Sequence, residues 1–522
     1  MIVYIMLFIF YACSIQNADA NEPFIVHTKY GDVVGYQTNS ARLFYGIPFA
    51  QPPINDLRWN PPIPIDKWAP KVINATLPAP ACPQPPCNPA SPICPPSFSE
   101  DCLYLNIFTP ITTQSTPLPV MLFIHGGEFQ LFGASAPIYY SERWVNTTNV
   151  IVVLIQYRLG VLGFLATGTG PNDIKGNYGI LDQRLAVAWI KANIDAFGGN
   201  PDEITLFGQS AGAQSVALHY VTRDMQSFFQ RAIIQSAPMA IPFRTYAEYI
   251  TPSVLLAEEL HCSFGDVSCL RAASADNIVA AQKIVNTKIT SFEILLFFEP
   301  WVPVIDDILV FGQLYETIQN LSFPVKPLVT GTVFDEGLYF VFSKWNQPIL
   351  PISYIEIALA FFRGKAFKIL ERFPPVGEGD QRLLLSKVAT QWVFACPTRI
   401  FTRKAALYYY VFGYPLNSNT NVSQKYCNGH VCHGDELPYL FESNWMNTTD
   451  AGRRISQSIG MYWTNFAKTQ NPNEPLRIPI AWPTVNSTDE KYLYFQDPLQ
   501  VQQNYLKDDC DFWDQIGYRE NF

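Results

Sequence analysis

Ile204-Thr205-Leu206-Phe207-Gly208-Gln209-Ser210-Ala211-Gly212-Ala213 decides how the rest of the chain is read. Its first four residues form a short apolar run of strand character. From Ala211 to Tyr220 the sequence reads as a helix. Between them stands G-x-S-x-G, at a strand-to-helix junction. A serine on so tight a turn has its hydroxyl exposed, and flanking glycines let neighbouring backbone approach. The N-terminus of the following helix brings a partial positive charge to the same point. A five-residue pattern with three fixed positions is only moderately specific. Its placement is what turns a glycine-rich turn into a candidate nucleophile site.

Working outward, Val120-Met121-Leu122-Phe123-Ile124 and the run from Val150 to Ile155 are continuous apolar stretches. Such stretches suit strands covered on both faces. Leu185, Ala188, Trp189 and Ala192 fall at i, i+3, i+4 and i+7, predicting a helix with one apolar stripe, stopped by Gly198-Gly199. Ala232-Ile233-Ile234, Pro327-Leu328-Val329 and Ala406 to Phe412 read as further strands. Strands alternating with helices imply an α/β fold: a mostly parallel central sheet with helices on both faces. The stretch from Pro78 to Pro96 is too rich in proline for a helix or a central strand, and its three cysteines make it a loop that crosslinks could pin.

The chain has 522 residues, 48% hydrophobic and 15% charged, with a net charge of −9. It can bury a large core, and it offers no basic face for nucleic acid. Met1 to Ile15 is almost wholly apolar, and Ala18-Asp19-Ala20 supplies a small-residue cleavage site. Residues 1–20 therefore read as an export signal, although no Lys or Arg precedes the apolar run. The run is shorter than the ~18 residues of a spanning helix, so no stable membrane anchor is expected. Residues 21–522 are expected to form a single domain. Of eleven cysteines, Cys13 leaves with the signal, and the ten that remain fit an oxidising compartment. Asn74, Asn146, Asn320, Asn421, Asn447 and Asn486 each open an Asn-x-Ser/Thr glycosylation site. The expected location is extracellular or the lumen of the secretory pathway.

A serine hydroxyl needs a base within hydrogen-bond reach, and the base needs an orienting acid. Six histidines are available. His27 lies in an extended stretch near the start, His219 inside the helix after the serine, and His261 before a cysteine loop. His125 belongs to His125-Gly126-Gly127-Glu128-Phe129, a turn after a strand. The backbone N–H groups of that turn, with the N–H of Ala211, can hold a developing oxyanion. His430 and His433 remain as bases, in Cys427-Asn-Gly-His430-Val-Cys432-His433-Gly-Asp. A competing reading makes Cys427, His430, Cys432 and His433 metal ligands, but the spacing is tighter than usual zinc patterns and exported cysteines are more often paired. No metal and no cofactor is expected. For the acid, the end of a strand between the serine and these histidines offers Asp335 and Glu336, whose bland alternative is to solvate a loop.

The residues resemble the type-B carboxylesterase family, which includes cholinesterases, liver-type carboxylesterases and bile-salt lipases. Glu100-Asp101-Cys102-Leu103-Tyr104-Leu105-Asn106 is similar to one family signature and Phe207 to Ala213 to another. Tyr157-Arg158-Leu159-Gly160, Gly176-Asn177-Tyr178-Gly179 and Phe197-Gly198-Gly199-Asn200-Pro201 match connecting motifs. The resemblance covers nearly the whole mature chain. It implies the α/β-hydrolase fold and hydrolysis of small carboxylic esters through an acyl-enzyme. The implied nucleophile is Ser210, the acid Glu336 and the base His433 rather than His430. The implied oxyanion donors are the backbone of Gly127, Glu128 and Ala211, and Ser236 is an implied supporting serine. The family's pairings imply disulfides Cys82–Cys102, Cys262–Cys269 and Cys396–Cys510. The pairing of the four left over, Cys87, Cys94, Cys427 and Cys432, stays open among three possibilities, with Cys87–Cys94 and Cys427–Cys432 as the first guess. Each bridge contributes ~2 to 4 kcal/mol, less in the shortest loops. Oligomeric state is left unassigned.

Two departures stand out. Glu128 replaces the usual third glycine of the oxyanion turn, and a carboxylate pointing inward would oppose the oxyanion. A binding or structural protein on the same fold is therefore the alternative function. Gln209 stands where cholinesterases carry Glu, and the Cys82–Cys102 loop has no Trp to hold a quaternary ammonium. Both count against a cholinesterase. The apolar run from Phe292 to Phe298 is read as core, with an acyl pocket or lid as its second reading.

Overall fold

The computed structural model describes residues 22–111, 116–289, 298–416, 425–486 and 488–518. Among them a sheet runs in the order Glu22–His27, Asp32–Gln37, Ala41–Pro48, Tyr104–Pro110, Ile151–Ile155, Leu118–Ile124, Gly199–Gln209, Arg231–Gln235, Leu328–Val333, Tyr408–Phe412, Lys491–Phe495, Gln500–Gln503. The short strand Val72–Asn74 pairs beside Asp32–Gln37. From Ile151–Ile155 to Lys491–Phe495 every neighbouring pair is parallel. Antiparallel strands close both edges.

The apolar runs of the central strands are continuous because both faces are covered. Val120, Leu122 and Ile124 enter one core cluster, while Met121 and Phe123 enter the opposite one. Ile151, Val153 and Ile155 alternate with Val152 and Leu154 in the same way. This is the two-residue period of a strand expressed between two hydrophobic layers. Helices Tyr178–Asn193 and Ala211–Tyr220 supply residues to the first layer; helices Glu142–Thr148 and Asp450–Thr469 supply the second.

The helix expected around Trp189 forms, but its buried face differs from the expected stripe. Leu185 and Ala188 are only partly buried and Ala192 is exposed. Asp182, Gln183, Ala186, Val187, Trp189 and Ile190 are buried. The reason is polar. The Asp182 carboxylate receives the Arg158 guanidinium at 2.7 and 2.8 Å and the Arg158 backbone N–H at 3.0 Å. Gln183 bonds Ser215 and His219 on the neighbouring helix. Apolar periodicity cannot register a face specified by buried hydrogen bonds. Two boundaries also move. The strand before Ser210 starts at Gly199, ahead of Ile204, and the strand expected from Ala406 starts at Tyr408.

Disulfides join Cys82–Cys102, Cys87–Cys94, Cys262–Cys269, Cys396–Cys510 and Cys427–Cys432. The first two pin the proline-rich loop. Of the glycosylation motifs, Asn74, Asn146, Asn320, Asn447 and Asn486 are exposed, and Asn421 lies outside the described residues. Phe292 to Phe297 also lie outside them. Phe298 is buried against Phe340 at 5.4 Å. Among the described residues no helix is long and apolar enough to cross a membrane.

The Arg158–Asp182 pair is buried on both sides. Breaking such a pair from one side strands the other charge, at a cost of about 3 to 5 kcal/mol. Asp182→Ala should therefore lower the denaturant midpoint strongly, whereas Asp202→Ala, on an exposed pair with Lys191, should leave it nearly unchanged.

Candidate active site

Strand Gly199–Gln209 ends at Gln209 and helix Ala211–Tyr220 begins at Ala211, so the whole reversal falls on Ser210. Its backbone sits at φ 58°, ψ −128°, a conformation an L-residue adopts only when its surroundings enforce it. Ser210 N–H donates to Gln235 O at 3.0 Å, and Gln214 N–H donates to Ser210 O at 3.0 Å. A Cβ at Gly208 would lie 2.5 Å from Gly212 O, and one at Gly212 only 2.0 Å from Ile124 O. Both glycines of the motif are thus required by close backbone approach.

The turn after strand Leu118–Ile124 lies directly against this bend. A Cβ on Gly126 would meet Ser210 Cβ at 2.8 Å. Gly127, Glu128 and Phe129 follow in succession at positive φ. Among the described residues, the backbone N–H groups of Gly127, Glu128 and Ala211 are paired with no acceptor. His125 anchors the turn from behind. Its Nδ1 lies 2.8 Å from Gly126 O, and its ring stacks on Tyr157 at 4.5 Å. Burial pushes its pKa down to about 4, so it is a neutral bracket.

Glu336 opens helix Glu336–Lys344 at the end of strand Leu328–Val333. It is fully buried. One oxygen accepts from Val333 N–H at 2.9 Å and the other lies 2.5 Å from His433 Nδ1. Phe340 and Phe394 pack on the His433 ring, each at 5.1 Å. A carboxylate on Nδ1 fixes the tautomer: Nδ1 carries the proton and Nε2 presents its lone pair. The described hydrogen bond to that lone pair comes from Gln209 Nε2 at 3.0 Å, not from Ser210 Oγ.

The rejected alternatives have places of their own. Asp335 Oδ2 receives Val431 N–H at 3.1 Å and lies 3.3 Å from His430 Nδ1, docking the histidine loop against the strand end. Cys427 and Cys432 are bonded to each other, which removes both thiolates from the ligand set of the metal reading. His219 is buried and hydrogen-bonded to Gln183, and His27 pairs with Asp32 at the surface. Ser236 is buried at φ 53°. Its N–H donates to Gly331 O, and its hydroxyl has no partner among the described residues.

Several groups escaped the reading of the sequence. Besides Gln209, they are buried acids. Glu436 is raised to about 7, first by burial and then by Glu336, and accepts from Gln235 at 3.4 Å. Asp435 is raised by burial and accepts Cys432 N–H at 2.8 Å. Glu299 is buried, with its carboxyl raised by burial and by Glu128. The only sequence signal was two acids directly after His433-Gly434; Glu299 had none. Glu128 is half-buried; burial raises its carboxyl to about 8, and it acts electrostatically on Glu299 and Tyr339.

A profile of the Carboxylesterase family matches residues 22–369 and 377–513. The cAMP-regulated D2 protein of Dictyostelium discoideum is 35% identical over 97% of this chain and 94% of its own. Acetylcholinesterase of Bungarus fasciatus is 32% identical over 90% of this chain and 82% of its own. Among solved structures, PNB esterase superposes with a TM-score of 0.81 at 28% identity, covering 94% of this chain and 99% of that one.

The elevated Glu128 carboxyl has a consequence for stability. The folded chain holds its proton up to about pH 8, whereas the group ordinarily releases it near 4.5. Its cost is therefore absent in acid and grows as pH rises through that window. Glu128→Gln should be more stable than the parent by about 1 to 3 kcal/mol at pH 8 and no different at pH 4.5. Denaturant midpoints at the two pH values test this; an equal gain at both would show that the carboxyl is not protonated in the fold.

Proposed function

The chain belongs to the carboxylesterase family and has the α/β-hydrolase fold, and on that premise we propose that it is a secreted serine hydrolase that cleaves small carboxylic esters through an acyl-enzyme. The observation that carries this reading is the 2.5 Å contact between His433 Nδ1 and a buried Glu336, beside the backbone reversal at Ser210. Ser210 attacks the ester carbonyl. His433 Nε2 takes the hydroxyl proton and returns it to the departing alcohol, and Glu336 stabilises the imidazolium in between. The N–H groups of Gly127, Glu128 and Ala211 receive the oxyanion, helped by the N-terminus of helix Ala211–Tyr220. Water then repeats the attack and frees the acid. Ser236 supports the triad from the next strand end. Residues 1–20 are the export signal, residues 21–522 form one domain, and the six asparagines are glycosylated on the way out. Nucleic acid is not a partner.

Glu128 supports a second reading, a binding or structural protein on the same scaffold. The first reading meets the objection because burial keeps this carboxyl neutral near pH 7. Its backbone N–H remains available, and an uncharged side chain does not oppose the oxyanion.

The decisive assay combines turnover of a chromogenic short-chain ester with covalent capture of Ser210 by an organophosphate. Ser210→Ala should lower kcat by about 10³-fold or more while the protein stays folded. A folded parent that neither turns over nor is labelled would establish the scaffold reading. If it is an enzyme, its rate should fall above about pH 8 as Glu128 ionises beside the oxyanion turn. Glu128→Gln should remove that alkaline decline. A decline of the same shape in the variant would assign it to another group.

A further inference from the structure

His433 Nε2 has a single in-plane lone pair, and a donor already occupies it. Gln209 Nε2 sits 3.0 Å away. The proposed mechanism needs the same lone pair for the proton of Ser210, the very next residue. Both donors cannot use it well at once.

The position of the Gln209 amide is built rather than incidental. Gln209 is buried. Its amide lies in a slot walled by two glycine turns: a Cβ on Gly126 would meet Gln209 Oε1 at 3.0 Å, and one on Gly434 would lie 3.8 Å from Gln209 Nε2. A side chain at Gly126 would crowd the amide. The orientation is set by the base, because Nδ1 faces the Glu336 carboxylate and keeps its proton, so Nε2 can only accept. The charged groups around the ring are Glu336 on Nδ1 and Glu436 from the same loop; Phe340 and Phe394 pack on it. Gln209 is thus the neutral donor competing at Nε2.

We propose that Gln209 is a positioning residue that holds His433 in a resting arrangement, and that its hydrogen bond must pass to Ser210 before the serine can react. This rests on the hydrolase reading. It makes the free enzyme partly self-restrained: Ser210 becomes nucleophilic only in the fraction of molecules in which the amide has released Nε2. Binding of an ester that brings Ser210 Oγ into line shifts the population toward that fraction.

Two variants test it through capture of Ser210 by a small organophosphate, measured as a second-order rate from pH 5 to 8. Gln209→Ala removes the competing donor, so labelling should accelerate by about 2- to 10-fold, the release of one neutral hydrogen bond. Gln209→Glu places a carboxylate at Nε2 that accepts a proton instead of donating one. It favours the imidazolium, and the acid limb of the labelling profile should move to higher pH by about one unit or more. A residue that merely packs would slow labelling in both variants without moving the profile. Unchanged or slower labelling in Gln209→Ala, or an unmoved acid limb in Gln209→Glu, overturns the proposal. Failure of the hydrolase reading is distinguishable, because the parent chain itself would then resist capture.

Discussion

The rest of the site depends on the backbone reversal at Ser210. A φ of 58° on a non-glycine residue costs on the order of 1 to 3 kcal/mol and persists only because its neighbours over-determine it. The parallel strand Arg231–Gln235 accepts its N–H on one side. Strand Leu118–Ile124 presses a carbonyl against Gly212 on the other. The sheet thereby enforces the bend, and the bend fixes three things at once: where the hydroxyl emerges, where the helix N-terminus points, and where Gln209 must lie.

Electrostatics supply the second layer. The surroundings of the site are crowded with acids, the buried Glu336, Glu436, Asp435 and Glu299 and the half-buried Glu128, in a chain whose net charge is already negative. Burial raises the carboxyl groups of Glu436, Asp435, Glu299 and Glu128 above their ordinary range. Glu336 differs from its neighbours in having both oxygens engaged, by Val333 N–H and by His433. The same logic of burial applies to Glu128 in the turn after strand Leu118–Ile124: its site raises the carboxyl.

Much of this was legible in the letters. The strands read at Val120, Val150, Ile204 and Ala232, the helix from Ala211 and the proline-rich loop all form, with starts moved by one to five residues at the strands, because each is a local signal read against a fixed period. The serine motif was legible for the same reason: one strand, one turn and one helix within a dozen residues. The choice between His430 and His433, and between Asp335 and Glu336, was not legible from pattern and leaned on resemblance. Each candidate lies one to three residues from its rival, and only the fold reveals that the outer pair, His430 and Asp335, ties the loop down.

What the sequence by itself determined is therefore the α/β alternation, the glycine-flanked bend and the cysteine inventory, all consequences of short-range sterics and hydrophobic period. Tertiary structure alone decided which imidazole meets which carboxylate across 97 residues, that Gln209 reaches that imidazole across 224, and that the Glu128 carboxyl is pushed up to about 8. It also chose the buried face of helix Tyr178–Asn193 through Asp182 and Gln183. The physical reason is common to all four. Hydrogen bonds and proton affinities in a water-excluded site depend on what distant segments bring to within 3 Å, and no local period encodes that distance.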